Sequence, residues 1–545
     1  MQKAMKINTK FKFFNSNNGF DNVTIALFVI FVLSLPFSES FISISSGLIL
    51  LVQLALSFFR RNAFSAVKDP SLWLISSIFL IYVVGLLFTK DIQFGLYELK
   101  KAVFWLVLSF GVILSPKLST KNFWFILTLF VFGVTVSTFF SFSKMLFHNV
   151  LGIENFRAVN FVSHIPFSFQ ISFSIFILFF SFFYENSVLK KLNPAIRIGW
   201  IIWLLFSLVV LKSMLGIAAF FASLIPLSVF IIKQLGRNKY RNAFIFVMIL
   251  FFCLPLFYVG WAISIFYDVK YTSVSTVDSK TKLGNDYQFD FNQKFKENGY
   301  YVSWYVCEAE LASAWNEKAK VKYNQLDTNG YLVSETLKRY LTSKGLKKDK
   351  EGVSSLTERD IQNIESGIAN YIYDAPFYAI YPRIYETIWE VDRYILTGDA
   401  NDQSFSQRIE YAKAALDIIK NNSWFGIGTG NFQIEFEKAF INRNSSLNEK
   451  FYGSAHNQYL SYLLKFGLVG FVYIMFVVFY VVYKKRLFRN PLFLIFFFYM
   501  MVANFGDSNW ETHVGLPYFV FFTCLFSWHS PEFVRTKRFV DQIRS

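Results

Sequence analysis

Apolar positions in this chain gather into long unbroken runs rather than alternating with polar ones. A bilayer-crossing helix needs roughly 17 to 25 such residues, and runs approaching or reaching that length recur along most of the sequence. Twelve are centred on residues 23–37, 41–59, 71–88, 102–115, 123–146, 165–184, 198–211, 214–232, 243–266, 459–483, 491–505 and 515–528. Only helices or closed barrels satisfy their backbone groups in hydrocarbon, so the pattern predicts an all-α, polytopic membrane protein with about twelve transmembrane helices. The first run closes on Pro36 and "SES". A cleaved signal peptide is the rival reading there, but no small-x-small cleavage site is evident and further spans follow.

The pattern changes character between residues 267 and 455, where apolar positions recur at helical spacing among many charges. A connection this long is more than an idle loop, and its signals predict a folded, mostly helical external domain. "TERDIQNIESGI" opens with Thr357 and places Asp360 three residues on, a capping-box arrangement. "PRIYETIWEVDRYILTG" puts Pro382 at a helix start and Gly398 just past its end. In "SFSQRIEYAKAALDIIKNN", Ile409, Ala412, Leu416 and Ile419 predict an apolar stripe, with Arg408, Glu410 and Lys413 on the opposite face. The expected organisation is therefore spans one to nine over 1–266, an external domain over 267–455, spans ten to twelve over 456–530, and a cytoplasmic tail over 531–545.

Composition agrees with a membrane body, since 54% of the 545 residues are hydrophobic and 70 are Phe. The formal charge of +17 invites a nucleic-acid reading, which its distribution removes. Residues 268–450 hold 23 basic and 26 acidic side chains, so the excess flanks the spans. Of the other 31 Lys and Arg, 24 fall in the termini and alternate loops on one side. By the positive-inside rule that side is the cytoplasm, and the 267–455 segment faces outward. Of Cys253, Cys307 and Cys524, only Cys307 lies in that segment, so no internal disulfide can staple it. No Cys/His spacing suggests zinc.

The outer face then collects the ionisable groups that need a reason. They are His148, Arg157 and His164 before the sixth span, Lys212 between the seventh and eighth, and Arg408 in the domain. His456 in "YGSAHNQYL" enters the tenth span, and Asp507, Glu511 and His513 precede the twelfth. The bland readings are an interfacial histidine capping a helix, a surface ion pair between Arg408 and Glu410, a snorkelling Lys212, and a solvated loop for Asp507, Glu511 and His513. The glycines of "NNSWFGIGTGNF" lack the strand-before, helix-after context of a dinucleotide fingerprint. They read as a tight turn that lets backbone approach something closely. Trp424 and Phe425 read as core anchors or interface aromatics rather than a sugar platform.

Taken together, the twelve spans, the large loop between the ninth and tenth, and the run of Arg408, "WFGIGTGNF" and "HNQYLSYLLKFGLVG" resemble the O-antigen ligase and polymerase superfamily of bacterial envelope glycan enzymes. "FRAVNFVSHIPF" and "VLKSMLGI" echo it more weakly. The resemblance implies a glycosyltransferase of the bacterial inner membrane. Such an enzyme moves a glycan from undecaprenyl pyrophosphate to an acceptor hydroxyl on the periplasmic side, without cofactor or metal. For O-antigen ligation the acceptor is lipid A-core, in lipopolysaccharide biosynthesis. Membrane lipids, the lipid-linked donor and the glycan acceptor are the partners it implies.

Carried over by position, Arg408 matches the family's loop arginine and His456 its histidine before the tenth span. Where the family has an arginine between the seventh and eighth spans, this chain has Lys212-Ser213. Lysine holds phosphate as a point charge and not bidentately, so Arg157 is a second candidate for donor pyrophosphate. His164, Asn457, Gly428 and Gly430 are supporting candidates. Three rivals stand beside ligation: a glycan polymerase, a protein O-oligosaccharyltransferase, and, outside enzymes, a polyprenyl-linked glycan transporter. A transporter more often shows internal repeats and Gly or Pro breaks within spans, and has no need for a large external domain.

Overall fold

The computed structural model describes residues 19–59, 63–149, 160–184, 187–235, 239–270, 278–376 and 378–531. Arg157 lies outside these residues, as do residues 532–545 and the side chain of His148. The described chain is almost entirely helical, and each of the twelve apolar runs coincides with a helix. In the first half these are α1 (Gly19–Ser34), α2 (Glu39–Phe59), α3 (Pro70–Leu86), α4 (Ile92–Ala102), α5 (Phe104–Ile113), α6 (Thr120–Asn149), α7 (His164–Phe180), α8 (Pro194–Val210), α9 (Met214–Leu235) and α10 (Lys239–Tyr267). The polar segment holds a two-residue hairpin, β1 (Lys296–Glu297) and β2 (Tyr300–Tyr301). Around it lie α11 (Glu308–Lys318), α12 (Val333–Ser343), α13 (Lys350–Ser354), α14 (Glu358–Glu365), α15 (Tyr381–Thr397), α16 (Ser404–Asn421) and α17 (Phe432–Asn442). The chain then runs through α18 (Gln458–Lys484), α19 (Pro491–Ala503) and α20 (Gly515–His529).

Five of these helices are long and apolar enough to cross a membrane, α2, α6, α9, α10 and α18, and several others are shorter and apolar. α5 illustrates the difference. Its ten residues span about 15 Å at 1.5 Å per residue, half the hydrocarbon thickness, and the amphipathic α4 precedes it with a break at Val103. α4 was not among the apolar runs because it is half polar. The α1 segment is part of the fold: it packs on α2 and α6 and buries Phe28, Phe31 and Val32 completely.

The chain divides into two compact units. Unit 1 comprises Met1–Asn242, Glu410–Ser445 and Tyr452–Ser545, and unit 2 comprises Ala243–Ile409 and Ser446–Phe451. In unit 1 the centre is α20, buried along nearly every residue and packed on α5, with Phe and Trp side chains meeting edge to face around it. α3 packs on α18, and α9 on α19. Unit 2 has its own small core of Leu311, Trp315, Leu337, Tyr340, Leu341, Val353 and Ile364.

Local signals in the polar segment formed as read. Thr357 and Asp360 make the capping box of α14, and α15 starts at Tyr381-Pro382 and ends at Gly398 with φ +69°. The burial of α16 is a correction. Its inner face is Tyr411, Ala414, Ala415 and Ile418, whereas Leu416 is 55% exposed. The helix carries two apolar stripes, and the one with two alanines allows the closer approach. Glu410, expected outside, is buried and accepts from Ser445 Oγ (2.9 Å) and Lys413 Nζ (3.1 Å).

Candidate functional site

The tenth run begins at a forced turn. Asn457 caps α18, its Oδ1 accepting from the amides of Tyr459 (3.0 Å) and Leu460 (3.1 Å), and its Nδ2 donates to Phe505 O (3.0 Å). His456 just before it has φ +44°, a left-handed backbone costing a non-glycine residue about 1–3 kcal/mol. Its Nδ1 lies 3.2 Å from Asp507 Oδ1, on the segment between α19 and α20. The Tyr411 ring stacks on it at 5.7 Å and 30°, and Gly453 leaves room for that ring, since a Cβ there would sit 2.9 Å from it. An ionised carboxylate only accepts, so in the neutral ring Nδ1 carries the proton and Nε2 presents a lone pair, on a side chain that is 37% exposed.

Asp507, Glu511 and His513 therefore do not form a solvated loop. Trp510 between them is fully buried against Trp105 and Phe519 and draws its neighbours inward. Glu511 Oε1 ends 2.9 Å from Lys465 Nζ, and His513 sits half-buried between the Tyr97 and Phe104 rings. Burial lowers the proton affinity of His513 below the ordinary histidine range.

The glycine turn is where backbone meets backbone. α18 is broken at Gly467 (φ +61°, ψ −170°), and residues 423–428 enter the gap. Leu464 O and Lys465 O accept from the amides of Ile427 and Gly428, both at 2.9 Å. The amides of Leu468 and Val469 donate to Ser423 O (2.7 Å) and Trp424 O (3.1 Å). All four groups freed by the break are satisfied. The same turn clasps the end of α3, with Thr429 Oγ1 on Tyr82 O (2.7 Å) and Asn431 Nδ2 on Phe88 O (2.8 Å). Gly428 and Gly430 are thus seating residues, because their amides already donate to Lys465 O and Thr89 Oγ1. A Cβ on Gly430 would lie 2.4 Å from Asp91 O. Trp424 and Phe425 are exposed rather than core anchors, and Phe425 borders an apolar groove of about 460 Å³ with Leu80, Val84, Phe88, Val469 and Tyr473.

The other candidates are placed as follows. Lys212 (φ +49°) forms the turn between α8 and α9. The neighbouring Ser213 Oγ reaches Ser168 Oγ of α7 (3.4 Å), and Leu215 fills the space beside Gly506. The start of α7 at His164, the Lys212 turn and the Asp507 segment accordingly share one end of unit 1. Arg408 belongs to unit 2, where the amide of Phe405, in the first turn of the same helix, donates to Glu390 Oε2 (2.9 Å). Burial raises the Glu390 carboxyl above its ordinary range, opposed by that hydrogen bond and by Arg383 and Arg408.

Sequence reasoning missed Tyr411 as a partner of His456 and missed the buried Lys465 with its carboxylates. For Lys465 a signal existed, a lone cation inside the apolar run 459–483. No curated protein matches the chain. Residues 360–475, the segment that carries Arg408, the glycine turn and His456, match the family model described as O-antigen ligase.

Proposed function

We propose that this protein transfers a glycan from undecaprenyl pyrophosphate to an acceptor hydroxyl at the periplasmic face of the inner membrane, and that the reaction is O-antigen ligation to lipid A-core. The observation that carries the reading is the His456–Asp507 pair, with His456 at the head of α18 and inside the matched segment. In the proposed step the acceptor oxygen bonds to the anomeric carbon while the bond from that carbon to the pyrophosphate oxygen breaks. His456 Nε2 takes the hydroxyl proton, and Asp507 holds the imidazole and offsets the charge it gains. Undecaprenyl pyrophosphate leaves with its negative charge met by Arg408, assisted by Lys212 or Arg157. The apolar groove beside Phe425 suits a prenyl chain, which explains why the chemistry uses a membrane body.

A deletion strain tests this by gel electrophoresis of its lipopolysaccharide. Ligation predicts loss of all long-chain bands with lipid-linked polymer accumulating. A surviving single-repeat band indicates a polymerase, and unchanged lipopolysaccharide with missing protein glycans indicates an oligosaccharyltransferase. His456→Ala should reproduce the deletion, because a general base contributes about 10²–10⁴ in rate. Full activity in that variant at normal protein level overturns the mechanism.

A further inference from the structure

α18 is one of the helices apolar and long enough to cross a membrane, yet its third turn carries a fully buried ammonium. Such a group is costly to keep dry. Lys465 Nζ lies 2.6 Å from Glu98 Oε2 on α4 and 2.9 Å from Glu511 Oε1 on the α19–α20 segment, and Glu98 also pairs with Lys101. Three pieces of chain otherwise remote in sequence are drawn to one nitrogen. The carbonyl of the same residue accepts the Gly428 amide at the helix break, so Lys465 also fixes the glycine turn.

The segment bearing Glu511 is fastened to α18 rung by rung. Gln458 N donates to Asn504 O (2.9 Å) and Asn457 Nδ2 to Phe505 O (3.0 Å). Ser461 and Ser508 share a hydrogen bond (2.9 Å), and Trp510 N donates to Gln458 Oε1 (2.7 Å). His456 with Asp507 is the rung at the outer end, and Lys465 with Glu511 closes the inner end. Apolar packing alone would allow the segment to slide along α18; the hydrogen bonds oppose this, and the ion pair adds a lock at the inner end. A buried ion pair has one satisfactory register, the best-attested use of such pairs.

We propose that Lys465 is a positioning residue: through Glu511, and braced by Glu98, it sets the register of the 504–511 segment on α18 and so holds Asp507 against His456. Its role in turnover rests on His456 being the base, whereas its effect on the imidazole does not.

The test uses the full-length protein in detergent micelles. Lys465→Met alone would strand the buried Glu511 carboxylate and leave Glu98 with Lys101 only, so the main variant is the neutralised triple Glu98→Gln, Lys465→Met, Glu511→Gln, compared with Asp507→Asn and with both combined. The first readout is the rate of His456 acylation by diethyl pyrocarbonate, followed on its own peptide by mass spectrometry. The triple should change that rate severalfold, in the same direction and to the same extent as Asp507→Asn, and the combination should add less than twofold. The second readout is transfer from a lipid-linked donor, where kcat should fall about tenfold with donor KM unchanged, non-additively with Asp507→Asn. An unchanged acylation rate in a well-folded triple overturns the proposal, as does a loss that multiplies that of Asp507→Asn. An altered acylation rate together with an active His456→Ala leaves the positioning role standing and removes the base assignment.

Discussion

At the scale of the residue, the proposed chemistry turns on two side chains 51 positions apart that meet at 3.2 Å. Asp507 can act on His456 in only one way, by accepting from Nδ1, and this selects the tautomer with a lone pair on Nε2. Asparagine at 507 can present an N–H instead and favour the wrong tautomer. Asp507→Asn is therefore expected to lower kcat by at least about 10²-fold, toward the roughly 10⁴-fold seen when an orienting carboxylate becomes an amide, while donor KM moves less than about twofold. Steady-state kinetics with purified enzyme and lipid-linked donor measure both, and an unchanged kcat removes Asp507 from the mechanism. His456 stood out in the sequence because it interrupts a polar-to-apolar junction with Asn457 behind it. Asp507 carried no such mark. "GDSN" between two apolar runs looks like any exposed turn, and only burial of the adjacent Trp510 explains why it is not one.

At the scale of the element, what could be read was local. Caps and stops depend on residues within a turn of each other, so the ends of α14 and α15 were legible in Thr357, Asp360, Pro382 and Gly398. The buried face of α16 was not, because Leu416 and Ile418 are equally apolar and only the neighbour decides between them. The break in α18 was also hidden. Gly467 sits in an apolar run where a glycine commonly serves helix packing, and its φ of +61° depends on a turn about 40 residues earlier. Space at that junction is exhausted: a Cβ on Gly426 (φ +70°) would lie 2.5 Å from the Lys465 carbonyl, and one on Gly467 2.3 Å from that of Trp424. Gly426→Ala and Gly467→Ala should each destabilise by more than about 2 kcal/mol through strain at positive φ plus backbone overlap. Gly260→Ala, where nothing lies within 4 Å, is the control. Thermal unfolding in detergent reports the difference, and equal midpoints for all three contradict the packing described.

At the scale of the whole molecule, the charge distribution makes an orientation testable. The 23 basic and 26 acidic residues of 268–450 predict that this segment is translocated, whereas the Lys484–Arg486 cluster predicts a cytoplasmic turn. With Cys253, Cys307 and Cys524 replaced by Ala, Lys282→Cys should react with a membrane-impermeant maleimide in spheroplasts. Lys484→Cys should react only after permeabilisation. Both lysines are exposed, so access to the side is what the reagent reads. The reverse pattern would put the proposed chemistry on the wrong side for a lipid-linked donor presented outside. The division into two compact units was only partly visible in the polarity of the chain. Glu410–Ser445 is as polar as the rest of 267–455, yet clusters with the helices of unit 1, because the turn following α16 is bonded into α3 and α18.

That bonding constrains how the protein is made. When α18 leaves the ribosome, an unbroken helix is the cheapest form in lipid, since every amide of residues 464–469 can then pair within it. The break becomes affordable only once residues 423–428 slide in to accept and donate in place of those pairs. The break in this helix and the seating of residues 423–428 are consequently one coupled arrangement, and it sets the direction of the part of α18 that begins beside His456. A chain in which that docking fails is expected to keep α18 unbroken, with His456 out of register with Asp507.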